Sequence, residues 1–232
     1  MDSVLFLDTE TTGVDTGESH VVELAAVLGA QRFESLYKPP TPIPPESSAV
    51  HNLTDEDVDG WCSIGDHPHE ALSKMVAEAE AIAGHNITSF DLPILEREMP
   101  RFWPQIPIID TLRLARHLWP DLPSHALQVL RYRFKLNAGS GDAHRAMFDA
   151  ELCRALVNYA LDTTDAPADA RELAEFCAAP IAIKVMYFGK HKGEPVEKMP
   201  RDYVRWLASQ PWLKGEHFDL WHTLRGVFGA QP

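Results

Sequence analysis

Two acidic residues at the end of an apolar segment restrict most strongly how this chain can fold. Residues 3–8 form a short apolar run of strand type, and Asp8 and Glu10 lie two positions apart at its end. Side chains of a β-strand alternate between faces, so the two carboxylates share one side of a sheet. Further strand-like segments at residues 21–28 and 32–37 predict that the chain opens with a meander.

A change of pattern after this meander indicates the fold class. Short apolar segments at residues 81–85 and 106–109 read as strands, and helical spacing follows at residues 127–134 and 145–161. Consecutive strands followed by alternating strands and helices are typical of an α/β fold. We therefore expect an α/β protein with a mixed sheet flanked by helices.

Composition divides the chain into three parts. Residues 1–162 are the predicted main domain, residues 163–180 a linker with a connecting helix, and residues 181–232 a small basic and aromatic domain of α+β type. The net charge of −13 by itself disfavours a nucleic-acid partner, because phosphate binding depends on Lys and Arg. The third part nevertheless has eight Lys or Arg against five Asp or Glu, so the acidic excess lies elsewhere.

The sequence has the composition of an ordinary globular protein, with 45% hydrophobic and 24% charged residues. It has no apolar run of about 18 residues and no amino-terminal signal pattern. We therefore expect a cytoplasmic protein that does not contact a membrane. The cysteines Cys62, Cys153 and Cys177 are scattered along the chain, which predicts buried thiols rather than a zinc site or a disulfide.

Two further carboxylates follow predicted structural elements. Asp91 lies in the first turn of a predicted helix that Ser89 caps, after the strand at residues 81–85, and Asp149 lies early in the helix at residues 145–161. Taken singly, such residues are more often solvated acids or first-turn residues that interact with a helix dipole. Taken together with the pair on the first strand, they offer the oxygen ligands that Mg²⁺ or Mn²⁺ prefers. Two such cations about 3.5–4 Å apart can promote phosphodiester cleavage.

A histidine precedes the last of these acids by five positions. Five helical steps correspond to about 500° of rotation, so His144 and Asp149 would diverge if both lay within the helix. His144 must therefore lie at or before the helix start, on the loop that contains Gly139 and Gly141. An imidazole exchanges protons near neutral pH and is suited to act as a general base. A surface histidine at a helix start is the alternative explanation.

Three motifs in this order resemble the DnaQ-like exonucleases of the DEDDh type. They are Asp-x-Glu-Thr-Thr-Gly at residues 8–13, His-Asn-x-x-x-Phe-Asp at residues 85–91 and His-x-x-x-x-Asp at residues 144–149. The similarity continues through residues 49–54 and 110–116 and covers residues 3–160. The related DEDDy branch has a tyrosine where this chain has Arg145. The resemblance implies a ribonuclease H-like fold and 3′–5′ exonuclease activity that releases nucleoside 5′-monophosphates.

The same resemblance implies a role for each residue of the site. Two divalent cations, Mg²⁺ or Mn²⁺, would be bound by the four carboxylates. Asp8 would bridge both ions, Glu10 and Asp149 would complete the first, and Asp91 would hold the second. His144 would take a proton from the attacking water. These five residues are the predicted catalytic group.

Other residues of the motifs are expected to contact the substrate. They are Thr11, Thr12, Gly13, Val14, His51 and Asn86. Gly13 would allow the backbone to approach the terminal nucleotide closely. Family members often have leucine where this chain has Val14. For His51 and Asn86, a hydrogen-bonded role in the core is an equal alternative.

The third part of the chain resembles the tail of exodeoxyribonuclease X-like proteins at residues 187–193 and 200–207, which favours DNA over RNA. Lys190 and Lys192 are candidate phosphate contacts on a turn, as are Arg113 and Arg116 in the main domain. Aromatic residues of the tail are candidates for stacking on bases. Such a small domain also needs aromatic residues for its own core.

Two other functions remain open. One is an RNA-trimming or proofreading exonuclease that uses the same site. The other is a nucleic-acid-binding accessory protein that has lost activity, which the complete set of four acids and His144 disfavours. The expected partner in all three cases is a nucleic acid, and for an exonuclease one with a free 3′ end. No protein partner is predicted.

Overall fold

The computed structural model describes residues 1–139 and 143–229, which fall into two compact units. The first unit is Met1–Ala178 and the second begins at Ala179. Among the described residues, no helix is both long enough and apolar enough to cross a membrane.

A five-stranded mixed sheet forms the centre of the first unit. Its strands are β1 (Val4–Thr11), β2 (Val21–Leu28), β3 (Gln31–Leu36), β4 (Ala81–Gly84) and β5 (Ile108–Asp110). Their order across the sheet is β3-β2-β1-β4-β5. The meander β1-β2-β3 is antiparallel, whereas β4 pairs parallel to β1 and β5 pairs parallel to β4. The predicted α/β fold with a mixed sheet is confirmed.

The helices of the first unit follow the alternation that the sequence predicts. The described α-helices are α1 (Pro45–His51), α2 (Glu70–Glu78), α3 (Asp91–Glu98), α4 (Thr111–Leu118), α5 (Leu127–Phe134), α6 (Ala146–Thr163) and α7 (Ala170–Ala178). Because parallel strands need a crossover, helices connect β4 to its parallel neighbours in the sheet.

Alternation along β1 divides its side chains between two hydrophobic clusters. Leu5 and Leu7 pack in the cluster that contains residues of α2 and α3. Val4 and Phe6 pack in the other cluster, together with residues of α6 and α7. Asp8 and Glu10 continue the alternation of Val4 and Phe6 and therefore lie on the α6 side of the sheet.

Helix α7 is part of the first unit, although the sequence assigned it to a connecting segment at residues 163–180. Leu173, Ala174 and Cys177 are buried in the same cluster as β-sheet residues. The boundary between units therefore lies after Ala178 rather than before the helix. The expectation of three buried thiols also needs correction, because Cys62 is exposed.

The second unit is mainly helical in the part that the structure describes. It contains α8 (Arg201–Ala208), α9 (Pro211–Glu216) and α10 (Phe218–Phe228). Leucine and valine residues of these helices form a core with Met186 and Met199. The predicted α+β character is limited, among the described residues, to one β-bridge between Val185 and Pro195. The helices bury their apolar residues against each other, so this core does not require a sheet.

Candidate active site

Three carboxylates converge at the end of β1. One oxygen from each of Asp8, Glu10 and Asp149 lies within 4.8 Å of the others. Glu10 and Asp149 are buried and Asp8 is partly exposed. Asp149 reaches this point because α6 packs across the sheet through buried residues such as Cys153, which sets its first turn over the end of β1.

The fourth carboxylate comes from the next parallel strand. Asp91 is the first residue of α3, shortly after β4, and parallel strands bring their carboxyl ends to the same edge of a sheet. Both the backbone N–H and the hydroxyl of Thr9 donate to Asp91 Oδ1, at 3.1 and 2.6 Å. The end of β4 lies so close to β1 that a Cβ at Gly84 would come within 2.8 Å of the Leu7 carbonyl oxygen.

Burial and mutual repulsion make these carboxyl groups hard to ionise. Burial raises the pKa of Asp8 well above its usual range, and the negative charges of Asp91 and Asp149 raise it further. Burial, with the charge of Asp149, raises the pKa of Glu10 to about 8. Burial also raises the pKa of Asp91 to about 7, although the hydrogen bonds from Thr9 oppose that shift. Burial raises the pKa of Asp149 as well.

The composition of this cluster fits divalent cations. Its converging ligands are carboxylate oxygens, the donors that Mg²⁺ and Mn²⁺ prefer. Several negative charges in a buried site are unfavourable unless positive charge compensates them. The pKa values of these carboxyl groups are raised in the absence of a cation. A bound cation would therefore strongly stabilise their ionised forms.

His144 lies in a turn just before α6, as the rotation argument predicts. Its side chain is exposed, and its backbone adopts a left-handed conformation with φ of 63°. Its backbone N–H donates to Asp149 Oδ2 at 3.0 Å. The structure thus brings the histidine next to the carboxylate cluster, held by one of its members. Of the two loop glycines in the prediction, Gly139 is described and Gly141 lies outside the described residues.

Two residues that the motifs did not indicate also belong to the site. Glu23 on β2 is fully buried and lies opposite Glu10 in the strand pairing. Gln128 on α5 donates its side-chain N–H to Asp149 Oδ1 at 2.6 Å. Glu23 could have been recognised from the sequence, because it is the one acidic residue in the otherwise apolar strand at residues 21–28. Gln128 had no such signal, because its role depends on how α5 packs against α6.

The residues after Glu10 form a turn at the edge of the cluster. Thr11 donates its hydroxyl to the Gly13 carbonyl at 2.7 Å, and Thr12 accepts the backbone N–H of His20 at 2.9 Å. Val14 projects from this turn with its side chain 90% exposed. An apolar side chain so open to water is available for contact with a ligand.

His51 and Asn86 both have structural contacts in the protein. His51 is buried, and its Nδ1 accepts the Leu53 backbone N–H at 3.0 Å. Its Nε2 is buried without a well-formed hydrogen bond among the described residues. Asn86 adopts a left-handed conformation and donates its backbone N–H to Asp110 Oδ1 at 3.1 Å. The Asn86 contact involves its backbone alone, and the Nε2 of His51 is enclosed in the fold.

The candidate phosphate contacts differ in their surroundings. Arg113 donates its Nε to the Cys177 carbonyl at 2.7 Å, which joins α4 to the end of α7. Arg116 is exposed on the same helix α4. In the second unit, Lys190 and Lys192 are both exposed on their turn.

Several aromatic residues of the second unit pack against its own core. Tyr203, Trp212 and Trp221 are partly buried against the hydrophobic cluster of that unit. Trp206 is the exception among these candidates, with 54% of its surface exposed. Stacking on bases is therefore open to Trp206, whereas the others contribute to stability.

Comparison with known proteins places the chain among exonucleases. Residues 5–157 match the RNase_T family, described as exonuclease. The chain is 30% identical over 210 residues to exodeoxyribonuclease 10 of Escherichia coli K12, with 87% of this chain and 88% of the relative covered.

Solved structures with the same architecture are also exonucleases. A structure of exonuclease X in complex with 5′ overhanging duplex DNA matches with a TM-score of 0.61 and 27% identity, covering 75% of this chain and 99% of that one. E. coli exonuclease I with a dT13 oligonucleotide matches with a TM-score of 0.57 and 19% identity, covering 68% of this chain and 40% of that one. The second match shows the common fold alone.

Proposed function

This chain belongs to the RNase_T exonuclease family and is a 3′–5′ exonuclease, and we propose that it removes nucleotides from the 3′ end of DNA with two divalent cations, Mg²⁺ or Mn²⁺. The observation that carries the proposal is the convergence of Asp8, Glu10 and Asp149 within 4.8 Å. Asp91 stands beside them and is held by Thr9. Such a cluster of buried acids has little other use in a folded protein, because it opposes its own ionisation.

The residues of the proposed site divide into metal ligands and a general base. Asp8, Glu10, Asp91 and Asp149 hold the cations, which when bound supply positive charge to the attacking and leaving oxygens. His144 takes a proton from the attacking water, and its exposed position next to Asp149 gives it access to that water. The products are nucleoside 5′-monophosphates.

The turn after Glu10 is the proposed contact for the terminal nucleotide. Thr11, Thr12 and Gly13 follow the cluster directly along the chain, so a nucleotide whose phosphate lies at the acids lies next to this backbone. The exposed side chain of Val14 offers an apolar surface to the terminal base. His51 and Asn86 are further candidate contacts by their place in the motifs.

DNA is the preferred substrate for two reasons. One relative is an exodeoxyribonuclease by name, and a similar structure contains duplex DNA with a 5′ overhang. The sequence match to that relative covers 87% of the chain, so it extends beyond the first unit into the basic second unit. There Lys190 and Lys192 are exposed and offer positive charge to a phosphate backbone.

The direct test follows the shortening of 5′-labelled oligonucleotides with Mg²⁺. Single-stranded DNA, duplex DNA and RNA of the same sequence are compared, together with reactions in excess EDTA. We expect a ladder of products that shorten one nucleotide at a time on DNA, and no reaction in EDTA. Faster shortening of RNA would overturn the DNA preference and leave the exonuclease activity intact.

The role of the histidine is tested with His144→Ala on the same substrates. We expect turnover to fall by about 10²- to 10⁴-fold, because a general base contributes an effect of that size. Affinity for DNA should change little, which a binding assay in Ca²⁺ would measure. Unchanged turnover would remove His144 from the proposed mechanism. Binding of DNA by the unaltered protein without release of mononucleotides in Mn²⁺ would instead support an inactive accessory protein.

A further inference from the structure

We propose that Glu23 and Arg145 form a clamp that positions His144 for the reaction, an inference that rests on the proposed role of this histidine. Neither residue is one of the four metal-binding carboxylates or the base. The clamp joins the strand opposite Glu10 to the residue that directly follows His144. Both residues act through His144 and are therefore positioning residues.

An acidic side chain at the position of Glu23 is energetically unfavourable unless the protein compensates for it. It is fully buried on β2, on the same face of the sheet as Glu10. A buried carboxylate next to the carboxylate cluster is costly, since its charge opposes the ionisation of Asp8 and Glu10. Such a residue is tolerated only when partners satisfy it fully.

Those partners come from the start of α6. Arg145 donates its Nε to both oxygens of Glu23 at 3.1 Å and its Nη2 to Oε1 at 2.5 Å. The backbone N–H of Ala146 donates to Glu23 Oε2 at 3.0 Å. Because all these donors bind one carboxylate, Glu23 fixes both the side chain of Arg145 and the first turn of α6. These bonds occupy both oxygens of Glu23, so we do not count Glu23 among the metal-binding carboxylates.

The clamp acts on His144 through the backbone that joins His144 to Arg145. His144 precedes Arg145 directly and lies in a left-handed conformation, which is unfavourable for a residue other than glycine. Asp149 holds the backbone N–H of His144 from one side at 3.0 Å. Glu23 holds the next two residues from the other side. With both sides fixed, the direction in which the exposed imidazole leaves the backbone is also fixed.

A matched pair of variants tests this inference. Arg145→Ala removes the clamp, whereas Arg154→Ala removes an ion pair within α6 that does not involve Glu23. Arg154 contacts Glu151 at 2.6 Å and the Gly29 carbonyl at 2.9 Å, and its side chain is 28% exposed against 39% for Arg145. We expect Arg145→Ala to lower kcat by about 10²-fold with little change in KM, as for a misplaced catalytic group. Arg154→Ala should retain kcat.

Chemical rescue separates positioning from general stability. The partial exposure of Arg145 lets guanidinium ions enter the space that Arg145→Ala leaves. At low guanidinium concentration and constant ionic strength, we expect part of the kcat of this variant to return. His144→Ala should show no such recovery, because the group that the clamp positions is absent. Thermal unfolding of each variant shows how far stability alone accounts for the losses.

The possible outcomes are distinct. Full kcat in Arg145→Ala, or equal losses in Arg145→Ala and Arg154→Ala, would overturn the clamp and leave the proposed function intact. An unaffected His144→Ala would overturn the role of the base itself. As a second probe, Glu23→Gln keeps the shape of the side chain but replaces one acceptor oxygen and removes the charge. It should lower kcat in the same way as Arg145→Ala, because Arg145 and Ala146 lose an acceptor of their hydrogen bonds, and unchanged kcat in Glu23→Gln would contradict the clamp.

Discussion

At the scale of the residue, the properties of each acid depend on its neighbours more than on its type. Asp110 ends the parallel strand β5, Asp91 begins the helix after the parallel strand β4, and both are buried. Asp110 accepts hydrogen bonds from the backbone of Leu112 and Thr88 and from the Thr88 hydroxyl, and it caps α4. Burial raises the pKa of Asp91 to about 7, with a smaller contribution from the charge of Asp110, and the charge of Asp91 in turn raises the pKa of Asp8. One acid is therefore structural and the other is suited to bind a cation.

This contrast predicts opposite effects of two isosteric substitutions. Asp8→Asn replaces a carboxyl group that is hard to ionise without metal by a neutral amide, so it should abolish turnover while maintaining or raising the metal-free Tm. Asp110→Asn keeps one oxygen for the cap but replaces the oxygen that accepts from Thr88, so it should lower the free energy of unfolding by about 1 kcal/mol. Thermal unfolding with and without Mg²⁺ provides the comparison. The Mg²⁺-induced rise in Tm should disappear in Asp8→Asn and persist in Asp110→Asn. A retained rise in Asp8→Asn would argue against metal binding at this cluster.

The raised pKa of Glu10 predicts how stability depends on pH without metal. Its pKa is about 8 in the folded protein, against a usual 4.5. Between these values the folded state holds a proton that the unfolded state has released, so stability falls as pH rises. We expect the metal-free Tm to decrease from about pH 5 to pH 8. Glu10→Gln should weaken that decrease, and added Mg²⁺ should stabilise the unaltered protein more at pH 8 than at pH 6.

At the scale of the element, the sequence was informative wherever structure depends on local pattern. The alternation at residues 3–10 predicted that Asp8 and Glu10 share a face, and they do. The rotation argument placed His144 before α6, where it lies. The helix at residues 170–178 was also predicted, but not its packing on the sheet, which depends on distant contacts of Leu173 and Cys177. Gln128 was missed for the same reason.

The close approach of β4 to β1 gives a prediction at this scale. Gly84→Ala would place a methyl group within 2.8 Å of the Leu7 carbonyl oxygen, so the end of β4 must move. We expect a loss of about 1–3 kcal/mol in the free energy of unfolding. Activity should fall as well, because α3 carries Asp91 and follows β4. Gly65→Ala is the control, since its methyl group would lie 3.5 Å from the nearest atom. Denaturant unfolding curves in which both variants behave alike would contradict this close contact.

At the scale of the whole molecule, two units of different charge serve one proposed reaction. The chain carries a net charge of −13, yet residues 181–232 contain more Lys and Arg than Asp and Glu. Composition predicted that division and the acidic character of the first unit. The helical nature of the second unit followed only from the folded structure.

The basic turn of the second unit should affect binding rather than chemistry. Replacing Lys190 and Lys192 by Gln should raise KM for DNA and leave kcat unchanged. The slope of log KM against log salt concentration should decrease by about 1–2, because fewer counterions are released on binding when phosphate contacts are lost. Lys198→Gln, an exposed lysine in the same unit, is the control. Steady-state kinetics at several salt concentrations measure both effects, and an unaltered slope would exclude these lysines from the DNA contact.

The carboxylate cluster draws its members from distant positions in the chain. Asp8, Asp91 and Asp149 belong to β1, α3 and α6, which are synthesised one after another. A nascent chain still lacking α6 has neither Asp149 nor the histidine that α6 positions. We therefore expect such a chain to be unable to degrade nucleic acid, including the messenger from which it is being translated. Activity would begin only when the last of these elements has left the ribosome and packed across the sheet.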